Sequence, residues 1–145
     1  MEILLISACL MGANCKYNGG SNALPEQTLA ALRRRYRLIP VCPEAAGGLP
    51  TPRTPSERRG ERVITRDGRD VTAEFQRGAE LAGRLAERFG ASLALLKSNS
   101  PSCGSGTIYD GSFSSKLICG NGITAEYLKN KNLSISCDPS TFSAL

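Results

Sequence analysis

The chain has 145 residues, of which 41% are hydrophobic and 21% are charged, and its formal net charge is +5. These proportions are typical of one ordinary globular domain over residues 1–145, and the sequence contains no apolar run near the roughly 20 residues that a membrane helix needs. It also contains no histidine, which excludes a Cys–His nucleophile pair, a Ser–His–Asp triad and every zinc site with an imidazole ligand.

The first half of the chain predicts a strand, a helix and a second strand. Residues 3–7 form a short apolar run typical of a buried parallel strand, and Pro25 opens a helical pattern over residues 25–36. Residues 37–42 predict a strand that Pro40 confines to an edge or an irregular position. No apolar periodicity is present over residues 43–65, so we predict a long functional loop there.

The second half continues the same alternation. Apolar residues at helical spacing predict a helix over residues 72–89, and Gly90 ends it. A strand over residues 92–97, a helix over residues 122–130 and a strand over residues 133–136 follow. Alternating strands and helices predict an α/β fold: a single-domain, open, mostly parallel sheet of Rossmann-like type with helices on both faces.

Three cysteines follow three of the predicted strands. Cys9 stands two residues after the first strand, Cys42 ends the second, and Cys103 comes six residues after the third. Ligands of open α/β sheets bind beyond the carboxyl ends of the strands. We therefore predict that the three thiols converge on one crevice, although they are 33 and 61 residues apart in the chain.

The segment CPE, residues 42–44, places a carboxylate beside a thiol. Pro43 favours an extended conformation at Cys42, and the side chain two residues further on then points to the same side. Glu44 is therefore either a general acid or base beside a thiolate or metal, or a helix N-terminal carboxylate that pairs with nearby arginines. The spacing does not choose between these interpretations.

The segment SPSCGSG, residues 100–106, is either a plain turn or a turn that holds a bound sulfur species at Cys103. Gly104 and Gly106 allow the backbone to approach a ligand and to direct amide hydrogens at it. Thiolates without imidazole leave zinc, copper(I) and iron–sulfur clusters as candidates. Four thiolates suit structural zinc or an electron-transfer cluster, whereas three leave one iron of a 4Fe-4S cluster open.

Three further cysteines have open roles. Cys137 also follows a predicted strand, which makes it another possible ligand. Cys15 lies six residues after Cys9 in a loop, where it is either a fourth thiolate or the redox partner of Cys9 in a thiol or persulfide protein. Cys119, in the apolar segment KLIC, is interpreted as a small buried hydrophobic residue.

Arginines cluster at residues 33–35 and again at Arg58, Arg59 and Arg62. We expect them to lie on solvated helix and loop faces, although a cysteine-ligated zinc or iron–sulfur module that binds RNA is an alternative. With 6% aromatic residues and no tryptophan, stacking platforms are few, so nucleic acid is an unlikely partner. The oligomeric state expected is a monomer or a weak homodimer.

The N-terminal segment ISAC, residues 6–9, is similar to a lipoprotein cleavage box, but its flanks are wrong for one. Glu2 stands where a signal peptide carries a basic residue, and the apolar run is shorter than an export segment of roughly 7 to 15 residues. Six cysteines in a chain of this size are then expected to be free thiols in a reducing compartment. We predict a cytoplasmic protein with no membrane association.

Taken together, the longer motifs of the chain resemble the thiouracil desulfurase family. The resemblance follows the order of the family over nearly the whole chain and is carried by the segments SACLMGANCKYNGG, VCPEAAGGLPTPR, GRDVT, LLKSNSPSCGSGTIYDGSF and GNGITAEYL.

The resemblance implies an enzyme that uses a 4Fe-4S cluster to cleave a C=S bond without net electron transfer. It implies that Cys9, Cys42 and Cys103 bind the cluster, that Glu44 is the acid–base residue and that Ser100 is an active-site serine. The implied substrate is a small thiolated base such as 2-thiouracil, and the implied products are uracil and hydrosulfide.

Overall fold

A computed structural model describes residues 1–143 of the chain. No helix among these residues is both long enough and apolar enough to cross a lipid bilayer. The helices and strands, in chain order, are Glu2–Ser7 (β1), Glu26–Arg35 (α1), Tyr36–Val41 (β2), Pro43–Ala46 (α2), Ser56–Arg59 (β3), Arg62–Thr65 (β4), Thr72–Phe89 (α3), Leu93–Leu95 (β5), Thr107–Tyr109 (β6), Leu117–Cys119 (β7), Ile123–Asn130 (α4), Ser134–Ser136 (β8) and Ser140–Ser143 (α5).

Four strands form the central sheet in the order β2-β1-β5-β8, and each neighbouring pair is parallel. The strand β2 lies at one edge and aligns Pro40 with Ile6 of β1. An edge position suits a residue that has no N–H to donate, as the sequence predicted. The fold prediction of an open parallel α/β sheet is confirmed.

Helices cover both faces of the sheet. Successive side chains of a strand point to opposite faces, so the apolar side chains of β1 must be buried on both sides. Leu4 and Ile6 of β1 pack with Leu29 and Leu32 of α1 and with the C-terminal helix α5. Leu5 points the other way and packs with α3 and α4. Each of these three β1 side chains is fully buried, which explains why the strand reads as a continuous apolar run.

The prediction of a structureless loop over residues 43–65 is wrong. The segment contains the helix α2 and the antiparallel hairpin β3–β4, and a second hairpin, β6–β7, also escaped prediction. The first hairpin is held both by Val63 of β4, which is fully buried in an apolar cluster with residues of α3, and by Arg58 of β3. Arg58 donates to the carbonyl of Asn121 at 2.7 Å and pairs with Glu126 at 3.2 Å. Such distant polar contacts leave no apolar periodicity in the sequence.

The same contacts correct one expectation about the arginines. Arg58 was expected on a solvated face, but only 8% of its surface is exposed. Arg59 donates to the carbonyl of Gly111 at 2.6 Å, and Arg62 pairs with Asp70 at 3.0 Å. This cluster therefore joins the two hairpins and the start of α3 rather than forming a free basic patch.

The helix α2 packs against α3 with its backbone in direct contact. A Cβ atom added at Gly78 would overlap the carbonyl of Pro43, and one added at Gly47 would overlap the carbonyl of Glu74. Only glycine permits this approach. The contact determines where α2, and with it Glu44, sits at the end of β2.

Candidate active site

A cavity of about 460 Å³ opens at the carboxyl ends of the parallel strands. Its lining includes every residue that the sequence singled out for the site: Cys9, Cys42, Glu44, Ser100 and Cys103. The structure therefore brings the predicted residues together from three separate parts of the chain. Their individual roles stay predictions.

The three thiols reach the cavity from different local structures. Cys9 lies in the short 3-10 helix Ala8–Met11 that follows β1, Cys42 follows directly after Val41 of β2, and Cys103 lies in the turn after β5. Burial raises the pKa of the Cys103 thiol to about 12, although a hydrogen bond with Ser7 opposes the change. Burial also raises the pKa of Cys9, although a hydrogen bond with Asn22 opposes it.

These raised pKa values have a chemical consequence for ligand binding. A thiol in such surroundings keeps its proton at neutral pH, whereas a metal ligand must be a thiolate. Positive charge bound in the cavity would offset the cost of ionising Cys103 and Cys9. Binding of a cationic metal group is therefore expected to release protons from this site.

Ser100 holds the turn that presents Cys103. Its hydroxyl oxygen accepts the backbone N–H groups of Ser102 and Cys103, both at 3.0 Å, and its carbonyl accepts the N–H of Gly104 at 2.9 Å. A Cβ atom at Gly104 would press on that same carbonyl at 2.7 Å. The segment is thus a tightly bonded turn, and the turn places a thiol at the cavity.

Glu44 satisfies both alternatives left open by its spacing. It lies in the first turn of α2, and its Oε1 accepts a hydrogen bond from Nε of Arg53 at 3.1 Å. Burial nevertheless raises the pKa of the Glu44 carboxyl, and Arg53 only partly offsets that effect. A carboxyl whose pKa is moved toward neutrality at a cavity wall is suited to exchange protons with a ligand.

The other cysteines divide into three cases. Cys15 lines the cavity, and the thiol of Cys42 donates to the carbonyl of Cys15 at 3.7 Å. The thiol of Cys137 contacts the carbonyl of Cys103 at 3.7 Å and is not part of the cavity lining. Cys119 is exposed on β7, which corrects the expectation that it is buried.

The residues of the cavity wall that the sequence analysis did not single out include Asn22, Arg53, Lys97 and Phe113. The positive charge of Lys97 partly offsets the burial that raises the pKa of Cys9. Lys97 ends a predicted strand, and the rule that ligands bind beyond the carboxyl ends of parallel strands could have found it. Arg53 and Phe113 lie in segments without periodicity. Both stand in segments that carry the family resemblance, VCPEAAGGLPTPR and LLKSNSPSCGSGTIYDGSF, and that resemblance is the signal that could have found them.

The donor set suits a sulfur-rich metal group. Among residues 1–143, no three cysteine or carboxylate side chains are close enough to chelate a single metal ion, and the thiols of Cys9, Cys42 and Cys103 instead surround a cavity. Thiolates are the ligands that iron–sulfur clusters take. The chemistry of these donors therefore fits a cluster, and their assignment as its ligands stays a prediction.

The parallel sheet carries thiols, a carboxyl and a serine at the carboxyl ends of its strands. The protein is therefore an α/β protein with a cysteine-lined active site. The family model for 2-thiouracil desulfurase matches residues 4–139. The chain belongs to that family. The predictions of family and of enzyme class are thereby confirmed.

Two relatives illustrate how similar other members are. The uncharacterized protein YbbK of Bacillus subtilis (strain 168) is 42% identical over 137 residues, which cover 88% of this chain and 89% of YbbK. A solved structure, that of the [4Fe-4S]-dependent thiouracil desulfidase TudS, is 48% identical with a TM-score of 0.89. That match covers 93% of this chain and 89% of TudS. The cluster named for TudS agrees with the cofactor that the resemblance implied.

Proposed function

We propose that this protein removes sulfur from a thiolated nucleobase such as 2-thiouracil, using a 4Fe-4S cluster bound by Cys9, Cys42 and Cys103. The observation that carries the proposal is the convergence of these three thiols on one cavity that also contains Glu44 and Ser100. Family membership and the named activity of TudS support the same reaction. The reaction consumes water and yields the oxo-base and hydrosulfide, with no change of oxidation state.

Three protein thiolates leave one iron of such a cluster without a protein ligand. When bound, the cluster supplies a Lewis acid with affinity for sulfur. The protein supplies the remaining requirements. Its turn at residues 100–106 fixes one thiol, and the ends of β1 and β2 fix the other two.

Glu44 is proposed as the group that moves protons. Its carboxyl borders the cavity, and its raised pKa brings the protonated and ionised forms closer in energy near neutral pH. Water that attacks the thiocarbonyl carbon gives up two protons: one passes to the departing sulfur, which leaves as hydrosulfide, and the other is released to solvent. A single buried carboxyl held by Arg53 is positioned to take up one proton and return it.

Ser100 is proposed to contact the substrate or relay a proton as well as to hold its turn. Its oxygen already accepts two backbone N–H groups, so its own hydroxyl hydrogen is the part available to a ligand in the cavity. A hydroxyl donor at that position suits a carbonyl or ring nitrogen of a pyrimidine. A cavity of about 460 Å³ with a partly polar wall supports a small-molecule substrate of this class.

We also propose a cytoplasmic location and a small-molecule partner. All six cysteines are free, as expected in a reducing compartment. Arg58 and Arg59 are engaged in internal hydrogen bonds, which reduces the basic surface that an RNA-binding module would need.

The test is anaerobic cluster reconstitution followed by measurement of iron content and of sulfide released from 2-thiouracil. Reconstituted wild-type protein is expected to be brown, to hold about four irons per chain and to produce uracil. Replacement of Cys9, Cys42 or Cys103 by alanine is expected to abolish both iron binding and turnover. The matched control is Cys119→Ala, which removes an exposed thiol outside the cavity and is expected to preserve both.

Iron-free protein that still releases sulfide would overturn the cluster assignment. Protein that binds four irons but releases sulfide from no thiolated base would overturn the reaction. Affinity for RNA that falls steeply with salt, without turnover of free thio-bases, would favour the RNA-binding alternative.

A further inference from the structure

Phe113 lies on the loop between β6 and β7 and forms part of the wall of the thiol-lined cavity. Its side chain is only half-buried, so part of an apolar ring borders the space in which a substrate must bind. Neither the resemblance nor the proposed chemistry assigns this residue a role. The surrounding structure shows that its position is strongly determined.

The backbone of Phe113 adopts a left-handed conformation with φ +57°. This region is unfavourable for a bulky residue, and such strain persists only where the surroundings impose it. Glu57 of β3 imposes it here: its Oε1 accepts the N–H of Gly111 at 2.9 Å and the N–H of Phe113 at 3.1 Å. One carboxylate therefore ties the loop to the first hairpin.

The ring is also contacted by an exposed arginine of the same cavity wall. The guanidinium of Arg66, which follows β4, lies over the Phe113 ring with its carbon 5.6 Å from the ring centroid. A cation in this position is attracted to the negative face of the ring. The backbone of Phe113 is thus held by Glu57 before a ligand arrives, and Arg66 adds a cation–π contact to the ring.

We propose that Phe113 is a specificity-determining residue whose ring stacks on the planar heterocycle of the substrate. The inference rests on the proposed function. It adds that the site selects thio-bases with a planar aromatic ring over cyclic thioamides whose ring is not planar. A preorganised aromatic surface binds a planar base with little loss of conformational entropy. Because every base has a π-face, the contact selects for planarity and leaves the identity of the base to polar groups.

The test compares three variants of the reconstituted holoprotein: Phe113→Leu, Phe113→Tyr and Phe89→Leu. Phe89 is the matched control, because it is also half-buried with an arginine over its ring, at 5.8 Å, yet is not part of the cavity lining. The measurements are KM and kcat for 2-thiouracil and the inhibition constants of uracil and 5,6-dihydrouracil, which is not planar. Iron content is measured for each variant.

Loss of one base–aromatic stack corresponds to about a 5- to 100-fold loss of affinity. Phe113→Leu is expected to raise KM and the inhibition constant of uracil by such a factor and to leave that of dihydrouracil nearly unchanged. Phe113→Tyr and Phe89→Leu are expected to resemble wild type, all with full iron content.

Several outcomes would overturn the inference. They are an unchanged KM in Phe113→Leu, an equal loss in Phe113→Tyr, or wild-type protein that binds uracil and dihydrouracil equally well. These outcomes leave sulfide release by wild type intact, so the proposed function survives them. Wild-type protein that releases no sulfide would instead overturn the proposed function, and this inference with it.

Discussion

Arg53 joins Glu44 to the loop of Cys15: its Nε donates to Oε1 of Glu44 at 3.1 Å, and its Nη2 donates to the carbonyl of Cys15 at 2.8 Å. The arginine side chain is only 6% exposed, so these bonds are shielded from water. Since Cys42 donates to the same carbonyl, one guanidinium orders the acid–base candidate and the surroundings of a proposed cluster ligand.

Arg53→Lys is expected to lower kcat for sulfide release by about 10- to 100-fold, the usual effect of removing a group that orients a site residue. Lysine keeps the charge but lacks the planar fork that reaches both acceptors. Iron content is expected to remain at the wild-type value, because Arg53 bonds to no proposed ligand thiol. Arg77→Lys is the control, since Arg77 donates to the carbonyl of Gly47 outside the cavity wall. Loss of iron with normal turnover per iron would contradict this role.

Mild oxidation of cluster-free protein with hydrogen peroxide is expected to link Cys15 to Cys42. The sequence suggested Cys9 as the partner of Cys15, but the structure places the Cys42 thiol against Cys15, whose carbonyl it contacts at 3.7 Å. Peroxide oxidises one thiol to a sulfenic acid, which the second thiol converts to a disulfide with loss of water. Mass spectrometry of tryptic peptides identifies the pair. A disulfide between Cys9 and Cys15 would show that the loop rearranges without its cluster.

Gly78→Ala is expected to destabilise the protein by about 1 to 3 kcal/mol, the usual cost of overpacking. The added Cβ would overlap the carbonyl of Pro43 and push α2 away from α3. Because α2 begins directly after Cys42, iron occupancy is expected to fall as well. Urea unfolding and iron analysis measure the two effects. Gly83→Ala is the comparison: its Cβ would meet the ring of Tyr127, a side chain that can move, so a smaller loss is expected.

Asp70→Asn is expected to lower the melting temperature at neutral pH but not in strong acid. Hydrogen bonds from the side chain and backbone of Thr72 lower the pKa of Asp70 below its ordinary value of 3.8, with help from Arg62. The ionised Asp70 carboxylate stabilises the folded state above pH 3.8, the pKa expected in the unfolded chain. This stabilisation is lost as the pH falls through the lower pKa of the folded state. Calorimetry at about pH 7 and about pH 2.5 compares the variant with Glu87→Gln. A difference in melting temperature between Asp70→Asn and wild type that is the same at both pH values would contradict the link between Asp70 ionisation and stability.

The elements that bury apolar side chains were predictable because their patterns are local. The helix α3 matches its predicted bounds, and the edge position of β2 follows from Pro40 alone. The first hairpin was not predictable, because β4 has only one fully buried hydrophobic side chain, Val63, and Arg58 of β3 is held by Asn121 and Glu126, more than 60 residues further along the chain. A contact of that kind has no periodic signature.

The amino-acid sequence by itself determined the chemistry available to this protein: thiols without imidazole, placed at strand ends, with one carboxyl beside them. Parallel strands align their carboxyl ends, so Cys9, Cys42 and Cys103 had to approach one another. Only the tertiary structure decided what surrounds the thiols. Arg53 and Phe113 reach the cavity from irregular segments. Hydrogen bonds to Cys15 and Glu57, 38 and 56 residues away in the chain, hold these segments in place, and such bonds form only once the chain has folded.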